Sequence, residues 1–414
     1  MRWKKRVNLR ILFQGNINFG KKLIQLHHYN AISFFLLSLT GLLLFSSTFR
    51  SAFPSIRVLM KDLHIWVGVI SCIPLFFYFP KMKKHVRTLS KKKNNRLNLR
   101  LVLTILIILI ISGILLTFHR ITPPIVSSWA LIIHDAATWV GLPYVIYHSM
   151  TRSKWFKKLE KRFNKVEIKE EPMLIENGNP IYKRRTFLRM LSGSVIALMF
   201  FPVVGRWFQL NFASVTEKAS VSNGNQFSPI PKANAKSAPP IGGGRKGQFR
   251  YYTVTEIPKL NDKNWSFTID GLVEKLSTYN WDQFVQLKRD VQVSDFHCVT
   301  GWSVYSVTWE GIPLRTLLQQ AGVKESAKYV KFYSADGVYT DTLSLDQAML
   351  DDVMAAVLID GELITEKNGG PVRLIVPKMY AYKSVKWLNR VELIENEHIG
   401  YWEKRGYSQD AWVN

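Results

Sequence analysis

Five long apolar runs mark the first half of the chain, at residues 26–46, 62–80, 101–118, 125–148 and 188–208. Each is close to the roughly 20 residues that an α-helix needs to cross a hydrocarbon core. After about residue 210 the pattern changes to short alternating runs closed by turn residues. Trp265-Ser266-Phe267-Thr268-Ile269 precedes Asp270-Gly271, Tyr329-Val330-Lys331-Phe332-Tyr333 precedes Asp336-Gly337, and Val372-Arg373-Leu374-Ile375-Val376 follows a glycine pair. These read as strands, whereas 313–321 and 345–354 carry apolar residues at helical spacing. The pattern predicts a multi-domain chain: a transmembrane bundle of four helices, a fifth anchor helix, and an α+β, β-rich outer domain. The boundaries fall at 1–150 for the bundle, 151–212 for a basic loop and the fifth helix, 213–247 for a linker, and 248–414 for the outer domain. The linker is rich in Ser, Asn, Ala, Pro and Gly, with Pro239-Pro240 and Gly242-Gly243-Gly244, and predicts a flexible tether. No internal repeat is read.

A formal net charge of +26 would suit a nucleic-acid binder if the basic residues shared one soluble face. They gather instead at 1–22, 81–100 and 151–185, beside the apolar runs, so no nucleic-acid partner is expected and the lipid bilayer is. The positive-inside rule puts those segments in the cytoplasm, and five crossings then place everything after residue 208 outside a cell membrane. The basic start runs into a full spanning helix without a visible cleavable signal peptide. Of the two cysteines, Cys72 lies in the second apolar run and Cys298 in the outer domain, which makes a disulfide between them implausible. A lone outer thiol is either a buried inert side chain or a metal ligand.

Ionisable residues inside membrane helices are costly and point to function. His134 and His148 stand fourteen residues apart on the fourth run, nearly four turns and about 21 Å along one face. That spacing suits one axial ligand for each of two haems stacked across the bilayer. The topology offers partners at matching depths: His28, or its neighbour His27, with His148, and His64 with His134. His85, in a lysine cluster, reads as an interfacial residue.

His27-His28-Tyr29-Asn30-Ala31, Leu39-Thr40-Gly41 and Ser112-Gly113 resemble the four-helix di-haem cytochrome b subunits of respiratory hydrogenases and formate dehydrogenases. The resemblance implies haem b and electron exchange with a membrane quinone. Lys183-Arg184-Arg185-Thr186-Phe187-Leu188-Arg189-Met190, just before the fifth run, resembles a twin-arginine export signal, which implies export of an outer domain already folded round a cofactor.

In the outer half, Asp295-Phe296-His297-Cys298-Val299-Thr300-Gly301-Trp302-Ser303 and Trp309-Glu310-Gly311-Ile312-Pro313-Leu314 resemble the molybdenum-binding core of the sulfite oxidase family. So do Asn368-Gly369-Gly370-Pro371-Val372-Arg373-Leu374-Ile375-Val376-Pro377 and Tyr380-Ala381-Tyr382-Lys383-Ser384-Val385-Lys386-Trp387. The resemblance implies a molybdopterin cofactor with Cys298 as molybdenum ligand and catalytic centre. Arg373 and the Lys383, Ser384, Val385, Lys386 turn would supply the guanidinium, ammonium and backbone N–H groups that a buried phosphate needs. Asn368 would bond the pterin, Ser334 falls where the family has a hydroxyl residue, and Thr253 lies in the early pterin-contact segment.

Sulfite oxidases open an arginine-rich anion pocket just after the cysteine, whereas Val299-Thr300-Gly301-Trp302 carries no cation. The expected substrate is accordingly a small sulfoxide, an N-oxide or a protein side chain, as in the protein-methionine-sulfoxide reductase branch. The expected enzyme is a membrane-bound molybdopterin-dependent oxidoreductase that transfers an oxygen atom and exchanges electrons with quinone through two b haems. The alternative is a non-catalytic haem membrane protein whose outer domain binds a partner.

Overall fold

The computed structural model describes residues 19–46, 49, 53–89, 93–152, 158, 184–212, 227–235, 237–246 and 249–413. Most of the basic segments 1–22 and 151–185, including Lys183 of the export-like motif, and the first part of the linker lie outside the described residues.

Five helices form the first half: α1 Phe19–Phe45, α2 Pro54–Leu89, α3 Lys93–Thr117, α4 Pro124–Arg152 and α5 Arg184–Phe212. Each contains a segment long and apolar enough to cross a membrane, namely Gln25–Phe45, Ile56–Phe76, Arg96–Thr117, Pro124–Thr151 and Thr186–Phe208. The second lies upstream of the expected 62–80, because the helix starts at Pro54, a residue suited to a first helical turn. The chain divides into two compact units between Leu103 and Thr104, within α3. In the first, α1 packs along α2, and Tyr29 donates to the carbonyl of Ile70 at 2.9 Å.

The second unit holds the end of α3, α4, α5 and the outer domain. α4 packs on α5. Trp207 of α5 donates through Nε1 to Asp135 of α4 at 3.4 Å, and Arg250 approaches the same carboxylate at 3.8 Å. The acidic residue beside His134 is therefore compensated by a cation and an N–H donor.

Two five-stranded sheets build the outer domain. One runs β2 (Ser277–Asn280), β1 (Ser266–Gly271), β10 (Leu388–Ile394), β5 (Tyr329–Ser334), β6 (Thr340–Ser344), with β1 parallel to β10 and its other pairs antiparallel. The other runs β3 (Asp290–His297), β4 (Ser303–Pro313), β7 (Met354–Ile359), β8 (Glu362–Leu363), with β9 (Arg373–Ile375) also on β7. Three short helices, α6 Trp281–Val285, α7 Leu314–Ala321 and α8 Leu345–Ala348, cover the sheets. The predicted helix over 313–321 is α7, but 345–354 holds only one turn. Ser344 and Gln347 form a capping box round α8, and from Met354 the fully buried run Met354-Ala355-Ala356-Val357-Leu358-Ile359 is a central strand. A continuous apolar run does not by itself separate a buried strand from a helix.

The tether expected over 213–247 is pinned down from Phe227 onward. Trp281 Nε1 donates to the Pro229 carbonyl at 2.8 Å, Arg289 Nη2 to that of Lys232 at 2.7 Å, and Gly242 N to Thr308 Oγ1 at 3.1 Å. Glu310, 1% exposed, accepts from Asn234 N at 3.0 Å, from the Ser237 hydroxyl, and from Arg289 Nε at 2.8 Å. Breaking a buried charge pair from one side costs about 3–5 kcal/mol. Glu310→Ala should therefore lower the unfolding midpoint and open 227–246 to proteases, as limited proteolysis with thermal melting would show.

Candidate cofactor site

The sheet registers bring one set of strand ends together. His297 closes β3 opposite Ser303, which opens β4, and Ser334 closes β5 opposite Leu388, which opens β10. The 380–387 segment bonds to both sheets: Ala381 N donates to the His297 carbonyl and Ala335 N to that of Trp387, each at 2.8 Å. Cys298, Ser334 and the 383–386 turn are thus gathered by topology from distant parts of the chain.

Cys298 leads a tight loop in which its own N–H donates to the Trp302 carbonyl and Gly301 N to the Cys298 carbonyl, both at 2.9 Å. Its half-buried thiol lies 3.2 Å from Thr300 Oγ1. His297 Nδ1 and Ser303 Oγ, 2.8 Å apart, fasten the strand beneath it, and burial holds the His297 imidazole below its usual range against the pull of Asp295. Trp302 is buried and stacks on Tyr252, with ring centroids 6.3 Å apart.

Arg373 sits on β9, 2% exposed. Its guanidinium donates through Nη1 to the Asn368 carbonyl at 2.7 Å and through Nη2 to that of Ser384 at 3.2 Å. It lies 4.8 Å over the ring of Phe296, two residues before the cysteine, while Nε is buried without a partner. Lys386 Nζ donates to the carbonyls of Tyr252 at 2.9 Å and Lys367 at 3.2 Å. Burial brings Arg373 down to about 9, and burial with the neighbouring guanidinium brings Lys386 down to about 7. Among the described residues neither cation makes an ion pair with a carboxylate. Asn368 Nδ2 is also buried without a partner. Gly369 has φ 94°, and a Cβ there would come within 2.6 Å of the Lys386 side chain, so the glycine lets the lysine stem cross this turn.

Two compensated cations would be unremarkable; two uncompensated ones beside an orphaned amide describe a cradle for an anion. The orphan donors fit the phosphate and polar edges of a pterin. The lone soft thiol fits a metal carried by such a group.

Ser334, buried, accepts from Asp336 N at 3.3 Å, and its neighbour Ala335 is tied to Trp387. Thr253 follows Tyr252, whose carbonyl holds Lys386, so this segment reaches the site through its backbone. The 383–385 turn also makes contacts of its own. Lys383 Nζ goes to Asp341 at 2.8 Å, Glu403 at 2.5 Å and the Thr342 carbonyl at 3.1 Å. Burial alone would depress this lysine, but the two carboxylates outweigh it and raise it; burial in turn pushes Asp341 up to about 8. The amides of Lys383, Ser384 and Val385 donate to the carbonyls of Tyr380, Ala381 and Lys383, so they are taken up inside the turn. Ser384 acts through its carbonyl, which aims Arg373, and its hydroxyl, which accepts from Val376 N at 3.1 Å. Asp341 and Glu403 were not legible as site residues, since neither stands in a quoted motif, whereas Phe296 belongs to the cysteine motif and Tyr252 precedes Thr253.

The cysteine loop also meets the hairpin between α3 and α4. A Cβ on Gly301 would lie 3.2 Å from Leu116, Tyr305 and Ser128 hydroxyls are 3.4 Å apart, and Leu131 packs on the cluster round Phe296, Trp302 and Trp309. His119 and Tyr380 rings meet edge to face at 6.0 Å. Of the candidate haem ligands, His134 on α4 lies 2.9 Å from Ser112 Oγ through Nδ1, and His148 faces Tyr144 at 6.2 Å. In the other unit, His64 Nδ1 lies 2.8 Å from Thr40 Oγ1, and His28 is exposed on α1.

A family model described as the oxidoreductase molybdopterin binding domain matches residues 254–402. The uncharacterized oxidoreductase YuiH of Bacillus subtilis is 33% identical over 162 residues, 38% of this chain and 81% of that protein. The protein-methionine-sulfoxide reductase catalytic subunit MsrP of Campylobacter jejuni is 26% identical over 253 residues, 57% of this chain and 82% of that protein. A putative protein-methionine-sulfoxide reductase subunit, YedZ1, of Azospira oryzae is 29% identical over 158 residues, 38% of this chain and 60% of that protein.

Two outcomes test the cradle. Losing one charge-assisted contact costs about 1.5–3 kcal/mol, so Lys386→Met and Arg373→Met should each weaken retention of the phosphate-bearing cofactor about ten- to a hundredfold, read by cofactor content after dilution. Without cofactor, Lys386 titrates near 7 in the fold and near 10.4 unfolded, so its burial penalty is full below about pH 7 and fades as pH rises toward about 10. Thermal unfolding of cofactor-free protein should show stability rising across that window, and Lys386→Met should remove the rise.

Proposed function

The chain belongs to the molybdopterin-binding oxidoreductase family and is an enzyme of that class, and from this premise we propose that it reduces a sulfoxide- or N-oxide-type substrate outside the cell membrane with electrons drawn from quinone through two b haems. The observation that carries the reading is the pair of buried Arg373 and half-buried Lys386, neither ion-paired among the described residues, within the same gathering of strand ends as the Cys298 thiol.

Molybdopterin, when bound, supplies a two-electron centre that accepts and releases an oxygen atom. The rest falls to the chain. Cys298 would be the thiolate ligand, with the Thr300 hydroxyl 3.2 Å from its sulfur to stabilise the charge. Arg373, Lys386 and the Asn368 amide would hold the phosphate and pterin, with Ser384 aiming Arg373, Ser334 and Thr253 lining the rim, and Val385 packing beneath. Lys383 would brace the turn through its carboxylates. Val299-Thr300-Gly301-Trp302 after the cysteine carry no cation, and Trp302 stacks on Tyr252, which favours a neutral substrate over sulfite. Protein-bound methionine sulfoxide fits this chemistry, and two of the similar proteins carry names for its reduction. Reduction of the sulfoxide takes two electrons and two protons, leaving a thioether and water.

The membrane half supports the electron route. α4 offers a 28-residue apolar span, which is about 42 Å of helix against about 30 Å of hydrocarbon. Its surplus turns, with Ser127, Ser128 and Leu131, meet the outer domain, and His134 follows seven residues after Ser127, about 10 Å along the axis. His134 and His148 on α4, together with His64 and His28, or His27, would be the haem-iron ligands. The Arg184-Arg185 pair that opens α5 fits export of the folded outer domain.

Purified protein reduced with dithionite should have its haem reoxidised by methionine sulfoxide. Cys298→Ser should abolish that reoxidation and keep the b-type absorbance, while His134→Ala should lose one haem and keep molybdenum. Full turnover in Cys298→Ser would refute the assignment.

A further inference from the structure

Four consecutive residues, Phe249-Arg250-Tyr251-Tyr252, touch α4, the cysteine loop and a cation of the cradle, all within the second unit. Arg250 Nη2 lies 3.8 Å from Asp135 Oδ2 on α4, and the same oxygen accepts from Trp207 Nε1 of α5 at 3.4 Å. The Phe249 ring lies 5.3 Å from that of Phe296 and 6.4 Å from that of Trp302, residues on either side of Cys298 in the chain. The Tyr252 ring stacks on Trp302, and its carbonyl accepts from Lys386 Nζ at 2.9 Å.

Both ends of the proposed seat take their position from Tyr252. On one side, the Trp302 carbonyl accepts from the Cys298 N–H at 2.9 Å, so a shift of the Tyr252 and Trp302 stack reaches the thiol loop. On the other, the Tyr252 carbonyl, with that of Lys367 at 3.2 Å, aims the ammonium of the half-buried Lys386. Tyr252 stands two residues from Arg250, at most about 7 Å of extended chain, so displacing the one moves the other. Upstream, Lys246 is bridged to Tyr305 by backbone bonds of 3.2 and 2.9 Å, and the Tyr305 hydroxyl lies 3.4 Å from that of Ser128 on α4. The segment is thus held to α4 through Arg250 and to the cofactor side through Tyr252.

We infer that Arg250 and Asp135 are positioning residues for the cofactor seat: docking of the outer domain on α4 sets Tyr252, and through it the cysteine loop and Lys386. The inference rests on the molybdopterin reading of the site. Coupling of this kind is reciprocal, so a bound phosphate that fixes Lys386 also strengthens the hold of Arg250 on Asp135. A contact that only fastened two parts of the fold would change the melting temperature and leave cofactor affinity alone.

The test uses the intact protein in detergent, made in one host that synthesises the pterin and in one that does not. Two quantities are read: molybdenum and pterin retained after dilution, and the rate of tryptic cleavage after Arg250, followed by mass spectrometry. Asp135→Asn and Arg250→Gln should each weaken retention about two- to fivefold, the worth of a partly exposed ion pair. The double variant should lose no more than either single one, and Arg250→Lys should recover most of the retention. In the wild type, cleavage after Arg250 should be slower with cofactor than without it by a similar factor, a comparison that needs no variant to fold. Equal cleavage of loaded and cofactor-free wild type, or single losses of retention that add in the double variant, would overturn the inference. So would wild-type retention in Asp135→Asn and Arg250→Gln alike. Wild-type protein that carries no pterin from the competent host would instead sink the molybdopterin reading, which is decided before any variant is made.

Discussion

A guanidinium and an ammonium lie close together in the outer domain with no carboxylate at ion-pair distance among the described residues, and the proposed cofactor site is organised round that deficit. Burial pulls Arg373 to about 9 and Lys386 to about 7, a direction that opposes folding until an anion arrives. The same turn shows the contrary solution one helical step away. Lys383 is bonded to Asp341 and Glu403, and burial, helped by the neighbouring Glu403, pushes Asp341 up to about 8. One lysine is therefore ion-paired within the protein, and the other meets only backbone carbonyls, which is why the proposed site gives it an anionic ligand. Binding energy and folding energy are coupled in such a site, since whatever neutralises the cations also stabilises the fold.

Placement of that site follows from connectivity. β3, β5, β9 and β10 deliver their ends to one place, and the 380–387 segment hydrogen-bonds to both sheets. On its other side the cysteine loop rests on the hairpin of α3 and α4, where Arg250 reaches Asp135 and Leu131 joins the aromatic cluster. The helix that carries His134 and His148 thus also forms part of the floor beneath the outer domain. In the proposed electron route, that one helix would link the outer domain to the haems.

Much of this was legible in the residues. Five apolar runs became five helices, and the alternating runs beginning at Trp265 and Tyr329 became strands within a residue or two of their expected place. Side-chain period in a half-buried strand is a strong signal, whereas β7, buried along its whole length, has no period to read. Motif order pointed to Cys298, Asn368, Arg373 and Lys386 as residues that would meet, and the fold brings their elements together. It could not show that Lys383 pairs with Asp341 and Glu403, acids 42 and 20 residues distant along the chain. Composition rich in Pro, Gly and Ser describes chain without regular structure, not chain without contacts, and Glu310 bonds to Asn234 and Ser237 in the described part of the linker.

The central claim is that the unbalanced cations and the lone thiol are the two ends of a seat for molybdopterin. Its most direct test is the metal and pterin content of the intact protein, purified from a host that makes the cofactor. The account predicts one molybdenum and one pterin phosphate per chain. A well-folded preparation carrying neither, from cells whose other molybdenum enzymes are loaded, would contradict it.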